Sequence, residues 1–274
     1  MPIDDRIEIS KHLAATYAGG RYDDPWGRVQ EYQRVLEYTA EHPNKGSAAV
    51  ASALDLPRSR IRPWMESDSR PDPVRAIQTA EDYGWLDLSW NDEQFEGFNI
   101  LVAWIFAGGS IATETYAPMF TVEEETMRCA YTALKRAGIT DIDIENVDSE
   151  GRATDLRPGV DGVILGRFLA ALGGPVGTKN AERDFALPSY LDEAPADVRM
   201  EFLRTYVWLR GTNPPKETRL AVQLAEQRDA AFRQQLKDLI EWAVPGSVRG
   251  DGTTFLLTPH AARVLDRPPE LCHR

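Results

Sequence analysis

The chain has 274 residues, of which 42% are hydrophobic and 27% charged, a composition typical of a folded, water-soluble protein with a sizeable core. Its 31 basic and 43 acidic residues give a net charge of −12, whereas nucleic-acid-binding proteins usually carry a basic balance. No apolar run approaches the roughly 18 residues that would indicate a membrane span, and the acidic N-terminus is unlike a signal peptide. We therefore expect a protein of the cytoplasm with no membrane partner.

The two cysteines, Cys129 and Cys272, lie so far apart in the sequence that they predict neither a disulfide framework nor a zinc-binding pattern. This favours a reducing cytoplasm. The four histidines lack the spacing of a metal site or a catalytic triad, and no glycine-rich phosphate loop follows a predicted strand. The sequence therefore predicts no enzyme activity, no cofactor and no metal site.

Arginine dominates the basic residues, since only six of the 31 are lysines. An acidic, lysine-poor and arginine-rich composition resembles that of proteins from extreme halophiles, in which an acidic surface maintains solubility. Net charge then says little about partners, and local basic clusters must be considered instead. The alternative is an ordinary acidic cytoplasmic protein without a polyanionic partner.

Residues 1–90 are predicted to form a helical domain, with helices over 5–17, 28–42, 47–56, 58–65 and 74–83. Pro63 falls late in the fourth helix, which predicts that this helix is short or kinked. The stretch 47–65 resembles a helix-turn-helix, because a tight connection joins two short helices while Ile61 and Trp64 would face inward. The residues predicted to contact base edges and phosphates are Arg58, Ser59, Arg60, Arg62 and Arg70. The alternative is a small helical bundle with a solvated arginine face.

Residues 91–274 are predicted to be an α+β domain that contains two copies of one unit, over about 93–175 and about 195–268. The first copy is predicted to contain a buried helix (95–110), a hairpin turning near Ala117-Pro118 (111–123), a helix (123–138), two strands (139–147 and 152–158) and a helix (163–174). The second copy repeats this order as a helix (195–211), a hairpin (216–228), a helix (229–244), short strands (246–257) and a last helix (258–265).

Two segments of this region resemble the signature helix of the LAGLIDADG homing endonucleases. They are LVAWIFAGGS at 101–110 and FLRTYVWLRG at 202–211, and their closing glycines are 102 residues apart. The intervening chain resembles further family patterns. It has Leu-Gly-x-Pro-x-Gly-x-Lys at 172–179 and a basic residue at Arg183, Leu-Pro-Ser-Tyr at 187–190 where the family has Ile-Pro-x-Trp, and Glu-Phe-Leu-Arg-Thr at 201–205 where the family has Glu-Phe-Leu-Arg-Gly. The resemblance covers about two thirds of the chain.

The resemblance implies a fold in which both signature helices pack side by side and two antiparallel sheets form a saddle on double-stranded DNA. Gly108 and Gly109 fit a close helix crossing. Because both repeats are in one chain, we expect it to bind DNA as a monomer.

The resemblance also bears on the chemistry of this scaffold, because the family's signature helices end in acidic residues that hold the catalytic metal. Here Gly108 and Arg210 stand at those positions, and no Asp or Glu occurs between Glu96 and Glu114 or between Glu201 and Glu217. A divalent cation would find no carboxylate at either helix end, so we expect no nuclease activity.

We therefore expect a sequence-specific double-stranded DNA-binding protein, a transcriptional regulator that joins a helix-turn-helix to an inactive LAGLIDADG-like saddle. Sporulation regulators of the WhiA type join the same two modules in the opposite order. The saddle residues predicted to contact DNA are Arg152, Arg157, Lys179, Arg210, Lys216, Arg219 and Arg249, although Arg210 could equally cap a helix C-terminus. The alternatives are an RNA-splicing cofactor of the maturase kind, a degenerate homing endonuclease and a protein-interaction scaffold.

Overall fold

The computed structural model describes residues 6–147, 152–180, 185–214, 221–250 and 252–273. These residues form an α+β protein with two small antiparallel sheets. The chain divides into two compact units, the first ending at Leu86 and the second beginning at Asp87. None of the helices in the described part is long and apolar enough to cross a lipid bilayer.

The first unit is helical, as predicted. Its helices are α1 (Arg6–Ala15), α2 (Pro25–Glu41), α3 (Ser47–Leu54), α4 (Arg58–Glu66) and α5 (Asp72–Asp82). Asp24 caps α2 by accepting a hydrogen bond from Gly27 N, and Pro25 occupies the first turn, where its missing N–H costs nothing. Asp55 ends α3 in a left-handed conformation with φ 53°, which turns the chain into α4.

The inward placement of Ile61 and Trp64 is confirmed. Ile61 is fully buried with Val35 and Val50, and Trp64 packs partly buried against the same cluster. Helix α4 is short, and it continues through Pro63 for three more residues. These contacts fix which face of α4 remains at the surface.

The first half of the second unit contains a four-stranded sheet between helices. Its elements are α6 (Glu93–Ala107), β1 (Ser110–Ile111), β2 (Pro118–Val122), α7 (Glu124–Arg136), β3 (Ile142–Glu145), β4 (Thr154–Pro158) and α8 (Gly162–Ala171). The strand order is β1-β2-β4-β3, and all pairs are antiparallel. The predicted turn was misplaced, because Pro118 opens β2 opposite Ile111. A proline suits the first residue of a strand, where its lack of an N–H is tolerated.

The second half follows a similar order of elements, with one strand fewer among the described residues. Its elements are α9 (Ala196–Arg210), β5 (Val222–Ala225), α10 (Ala230–Ala243), β6 (Val248–Arg249), β7 (Thr254–Leu257) and α11 (Pro259–Leu265). The strand order is β5-β7-β6, and Thr212 adds an isolated antiparallel bridge to Gln223 of β5. In each half, a helix connects two strands of the same sheet: α7 connects β2 to β3, and α10 connects β5 to β6.

Helices α6 and α9 pack against each other and run in the same direction. Near their N-terminal ends Asn99 Nδ2 donates to Val198 O at 3.0 Å, and near their C-terminal ends the Trp104 and Trp208 ring centroids are 6.3 Å apart. The expectation that Gly108 and Gly109 form the crossing is wrong. A Cβ on Gly109 would lie 2.8 Å from Met119 O of β2, whereas a Cβ on Gly108 would meet open space, so neither lies between the two helices.

Cys129 of α7 and Cys272 near the C-terminus form a disulfide, with their Cα atoms 4.6 Å apart. The sequence did not predict this pairing, because a separation of 143 residues says nothing about distance once the C-terminal segment packs on α7. The prediction of no disulfide is therefore wrong, and such a bond is uncommon, although not absent, in intracellular proteins.

Candidate nucleic-acid interface

The exposed face of α4 presents Arg58, Ser59 and Arg62. Arg58 Nε donates to Ser47 Oγ at 3.4 Å, and Arg62 Nε donates to Glu66 Oε2 at 2.7 Å. The hydrogen bond from Arg62 lowers the pKa of Glu66. The Arg62 contact lies at the surface, where such pairs contribute little to stability, and the Arg58 contact to the buried Ser47 is long, so both guanidinium groups can leave them for another acceptor.

Arg60 does not share this face, contrary to the prediction. Successive helical residues turn by about 100°, so Arg60 points about 200° away from Arg58, whereas Arg62 returns to within about 40° of it. The half-buried Arg60 Nη1 donates to both carboxylate oxygens of Glu31 on α2, at 2.9 and 3.1 Å. Arg60 therefore ties α4 to α2.

Arg70 lies in the loop after α4. Its Nη1 donates to Gln78 Oε1 at 2.9 Å and its Nη2 lies 3.2 Å from Asp68 Oδ2.

The charge balance of the helical unit differs from that of the rest of the chain. Residues 5–86 contain eleven Lys and Arg against thirteen Asp and Glu, whereas residues 87–274 contain twenty against twenty-nine. The excess of acidic over basic residues is therefore smaller in the helical unit than in the rest of the chain.

The open face of the four-stranded sheet is acidic. Phe120 and Leu156 mark its buried face, and the alternating register places the following side chains on the opposite face: Met119, Thr121, Asp143, Glu145, Asp155 and Arg157. Arg157 Nη1 lies 3.3 Å from Glu145 Oε1, and Asp155 accepts a hydrogen bond from Thr121 Oγ1 at 2.7 Å. Three carboxylates against one guanidinium would repel a phosphate backbone, which weakens the predicted role of Arg157.

The open face of the second sheet is nearly uncharged. The register aligns Gln223 of β5, Leu256 of β7 and Arg249 of β6 across that face. Arg249 is exposed, and its Nη1 donates to Gly246 O at 3.1 Å and to Val248 O at 2.8 Å. Arg152 is exposed just before β4, and Lys216 and Arg219 lie outside the described residues.

Lys179 is placed at the C-terminal end of α6 rather than at an open surface. Its Nζ donates to Ile105 O and Gly109 O, two carbonyls at the end of that helix. Burial, together with the nearby positive charges of Arg228 and Arg210, lowers the pKa of Lys179 to about 7. The predicted DNA contact is therefore a helix cap, which complements the partial negative charge of a helix C-terminus.

A buried polar cluster, which we call the helix-end cluster, joins Lys179 to four residues that the second half contributes: Tyr206, Arg210, Glu226 and Arg228. Arg228 Nη2 donates to Phe106 O of α6, and its Nη1 lies 3.4 Å from Glu226 Oε2. Arg228 and Glu226 are only 3% and 1% exposed, and Tyr206 also donates to Glu226. Arg210 Nη2 donates to Ala225 O at 3.2 Å, so it holds the end of β5 rather than capping its own helix.

The sequence did not identify Tyr206, Glu226 or Arg228 as functional residues. Glu226 and Arg228 fall in the connection between β5 and α10, at the end of the stretch 216–228 that the sequence predicts as a hairpin. The only available signal was two opposite charges that directly follow an apolar strand and precede the helix-capping Asp229. Their burial depends on the end of α6, which lies about 120 residues earlier in the chain.

Cations, rather than carboxylates, surround the C-terminal ends of α6 and α9. Lys179, Arg210 and Arg228 contact the carbonyl groups there, and the carboxylate of Glu226 is already paired with Arg228. Within the described ranges, no three or more His, Cys, Asp or Glu side chains gather closely enough to hold a metal ion.

A cavity of about 570 Å³ lies at the opposite, N-terminal ends of α6 and α9. Trp90, Phe95 and Asn99 line it together with Glu201 and Glu270. Burial raises the pKa of Glu201, whose Oε1 accepts a hydrogen bond from Glu270 N at 2.8 Å. The disulfide holds the segment that contributes Glu270, so the cavity wall is covalently fixed to α7.

Neither a scan of protein-family models nor a search of curated protein sequences finds a match for this chain. Function is therefore inferred from the residues and their geometry. Two features bear on it: the exposed arginines of α4, and the basic side chains of Lys179, Arg210 and Arg228 near the C-terminal ends of α6 and α9.

Proposed function

We propose that this chain is a sequence-specific double-stranded DNA-binding protein, a transcriptional regulator built on a LAGLIDADG-like scaffold that does not cleave DNA. The observation that carries the proposal is the recurrence of one element order, helix-strand-strand-helix-strand-strand-helix, around two helices that pack in the same direction. The first half supplies every element of that order, and the second half supplies it with Thr212 at the position of the first strand. This order of elements supports the fold that the resemblance implies.

In this proposal the α3–α4 pair acts as a helix-turn-helix and makes the main contacts to the DNA bases. A recognition helix needs an apolar side in the core and guanidinium groups on the other side, for guanine edges and phosphates. Ile61 packs in the core while Arg58 and Arg62 share the exposed face, and Ser59 lies beside them.

The saddle contributes unequally to DNA binding in this proposal. The open face of the second sheet, with Gln223 and Arg249, can approach a phosphate backbone, whereas Asp143, Glu145 and Asp155 keep the first sheet away from it. A saddle that no longer contacts nucleic acid and serves only as a structural platform is the alternative that this acidic face favours.

The absence of cleavage in this proposal rests on the helix-end cluster. Hydrolysis on such a scaffold requires carboxylates that bring a divalent cation to the scissile phosphate. Lys179, Arg210 and Arg228 occupy that region and would repel a cation, since among the residues that the structure describes only Glu226 offsets their charge.

Chromatin immunoprecipitation with sequencing tests the proposal in the cell, and mobility shifts on the recovered sites test it with the purified full-length chain. We expect discrete peaks at promoters and a complex with the recovered site that survives an excess of scrambled duplex at fixed salt. Incubating the same sites with Mg²⁺ or Mn²⁺ should leave them intact. Diffuse enrichment together with equal affinity for scrambled DNA would contradict specific recognition, and metal-dependent cutting would contradict the loss of cleavage.

A further inference from the structure

The helical unit contains a second basic feature, which we call the arginine pocket. It has a volume of about 300 Å³ and lies between α2, α4 and the loop that joins α4 to α5. Its walls include Arg21, Tyr22, Arg28, Arg60, Trp64 and Arg70. Two of these, Arg60 and Arg70, were predicted to contact DNA, but Arg60 lies off the exposed face of α4.

The guanidinium groups of the arginine pocket outnumber the carboxylates that neutralise them. Arg28 and Arg60 share the single carboxylate of Glu31, at 3.1 and 2.9 Å. Arg21 lies 3.8 Å from Asp72, which Arg75 and the Tyr22 hydroxyl also contact. Arg70 pairs with Asp68, so five guanidinium groups meet three carboxylates around this pocket. The excess positive charge favours an anionic ligand.

One donor in the wall of the pocket has no acceptor. The Nε of Arg28 is buried and, within the described part of the chain, makes no hydrogen bond. A buried donor without a partner is unfavourable, and an anion that reaches it gains a hydrogen bond assisted by charge. Glu31 contacts the Nη1 of Arg28 but not its Nε, so an oxyanion in the pocket would give this Nε an acceptor.

An aromatic surface borders the guanidinium groups. Trp64 is only partly buried: its ring meets Tyr32 edge-on at 5.5 Å, and the side chain also lines the pocket. Aromatic and proline side chains beside a cluster of arginines offer a planar ring a stacking surface next to a phosphate site. Ligand pockets usually measure roughly 300–1,000 Å³. The arginine pocket is therefore a small one and suits a compact molecule.

We propose that the arginine pocket binds a small phosphate ester that carries a planar ring, such as a mononucleotide. The phosphate would bind to the guanidinium groups of Arg21, Arg28 and Arg70, and the ring would lie along Trp64. Because Arg60 and Arg28 hold the same carboxylate on α2, the ligand would compete with Glu31 for them and so alter the link between α4 and α2. Binding itself does not depend on whether the chain recognises DNA.

Isothermal titration calorimetry on the full-length chain tests this proposal, with AMP, adenosine and inorganic phosphate as probes at one fixed ionic strength. We expect saturable binding of AMP, no binding of adenosine, and an affinity for inorganic phosphate at least about tenfold below that for AMP, since both the charge and the ring contribute. No saturable binding of AMP, or equal affinity for AMP and adenosine, would overturn the proposal.

Two variants separate the pocket from general surface charge. The double variant Arg21→Gln/Arg70→Gln should lower the affinity for AMP at least about tenfold, as loss of two phosphate contacts implies. The control Arg34→Gln changes an exposed arginine on α2 outside the pocket and should bind AMP as the wild type does. Circular dichroism and the melting temperature of each variant verify its folding. Unchanged AMP binding in the double variant, or an equal loss in the control, would overturn the proposal.

The same variants distinguish a free ligand from a phosphate of the DNA backbone. If the pocket holds a backbone phosphate, the double variant will lose DNA affinity while the wild type shows no saturable binding of AMP, and this result would overturn the proposal. Binding of AMP in the absence of any DNA, abolished by Arg21→Gln/Arg70→Gln, is the result that the proposal predicts.

Discussion

The arginines of α4 and the helix-end cluster contain the same residue types in two different settings. Arg58 and Arg62 lie at the surface in contacts that solvent can replace, whereas Arg228 is buried and donates to Phe106 O, Tyr206 and Glu226. The sequence assigned DNA contacts to both regions. Burial and existing partners therefore decide whether a basic side chain is available to bind a ligand or is held in contacts that stabilise the fold.

The largest effect is expected from breaking the helix-end cluster. Changing Arg228→Met leaves the buried carboxylate of Glu226 without its cation, and removing one partner of a buried pair typically costs about 3–5 kcal/mol. Urea denaturation followed by circular dichroism measures the loss. The double change Arg228→Met/Glu226→Gln should recover part of it, because no buried charge then remains unpaired. Equal stability of Arg228→Met and the wild type would show that the cluster does not hold α6.

A smaller, pH-dependent effect is expected at Lys179. Its pKa of about 7 in the folded chain lies below the ordinary 10.5, so between these values the unfolded chain binds a proton that the folded chain does not. The free energy of unfolding should therefore rise with pH in this window, by up to about 1.4 kcal/mol per pH unit, and stay unaffected by this group below it.

The variant Lys179→Gln isolates that contribution, because it keeps a donor for Ile105 O and Gly109 O but does not titrate. Urea denaturation at pH 7.5, 8.5 and 9.5 should give a steeper rise in stability for the wild type than for the variant. Parallel slopes would mean that Lys179 keeps an ordinary pKa in the fold, and a 13C NMR titration of the lysine Cε would then locate it.

The smallest effect on stability is expected at Arg62. Its guanidinium is exposed and pairs with Glu66 on the same helix. Changing Arg62→Ala should leave the urea midpoint of the chain unchanged, in contrast to Arg228→Met, because exposed ion pairs add little to stability. A clear drop in the midpoint would mean that the α4 face is structural, and the contrast between the two regions would fail.

Local patterns predicted much of the fold. Apolar spacing located the helices and the strands β3, β4, β6 and β7, because each element buries one side against a core, as Ile61 does. Pairings across the sequence were not predictable in this way. The disulfide between Cys129 and Cys272, and the contact of Arg228 with Phe106 O, depend on how distant segments meet, and no local pattern reports that.

The candidate site was predicted less well than the fold. The sequence identified Arg58, Ser59 and Arg62 on an exposed helix face, but it placed Arg60 on that same face although residues two apart on a helix point in nearly opposite directions. The acidic face around Arg157 was not predictable, because it depends on the register that pairs Asp143 and Glu145 of β3 with β4.

Titrating a recovered DNA site with the full-length chain tests most directly whether α4 recognises DNA through its exposed arginines. At fixed salt, Arg58→Gln/Arg62→Gln should weaken specific binding at least about tenfold, since each lost base or phosphate contact costs on the order of 1–3 kcal/mol. The control Arg34→Gln, also an exposed arginine of the helical unit, should bind as the wild type does. Equal affinities for the wild type and Arg58→Gln/Arg62→Gln would contradict the account.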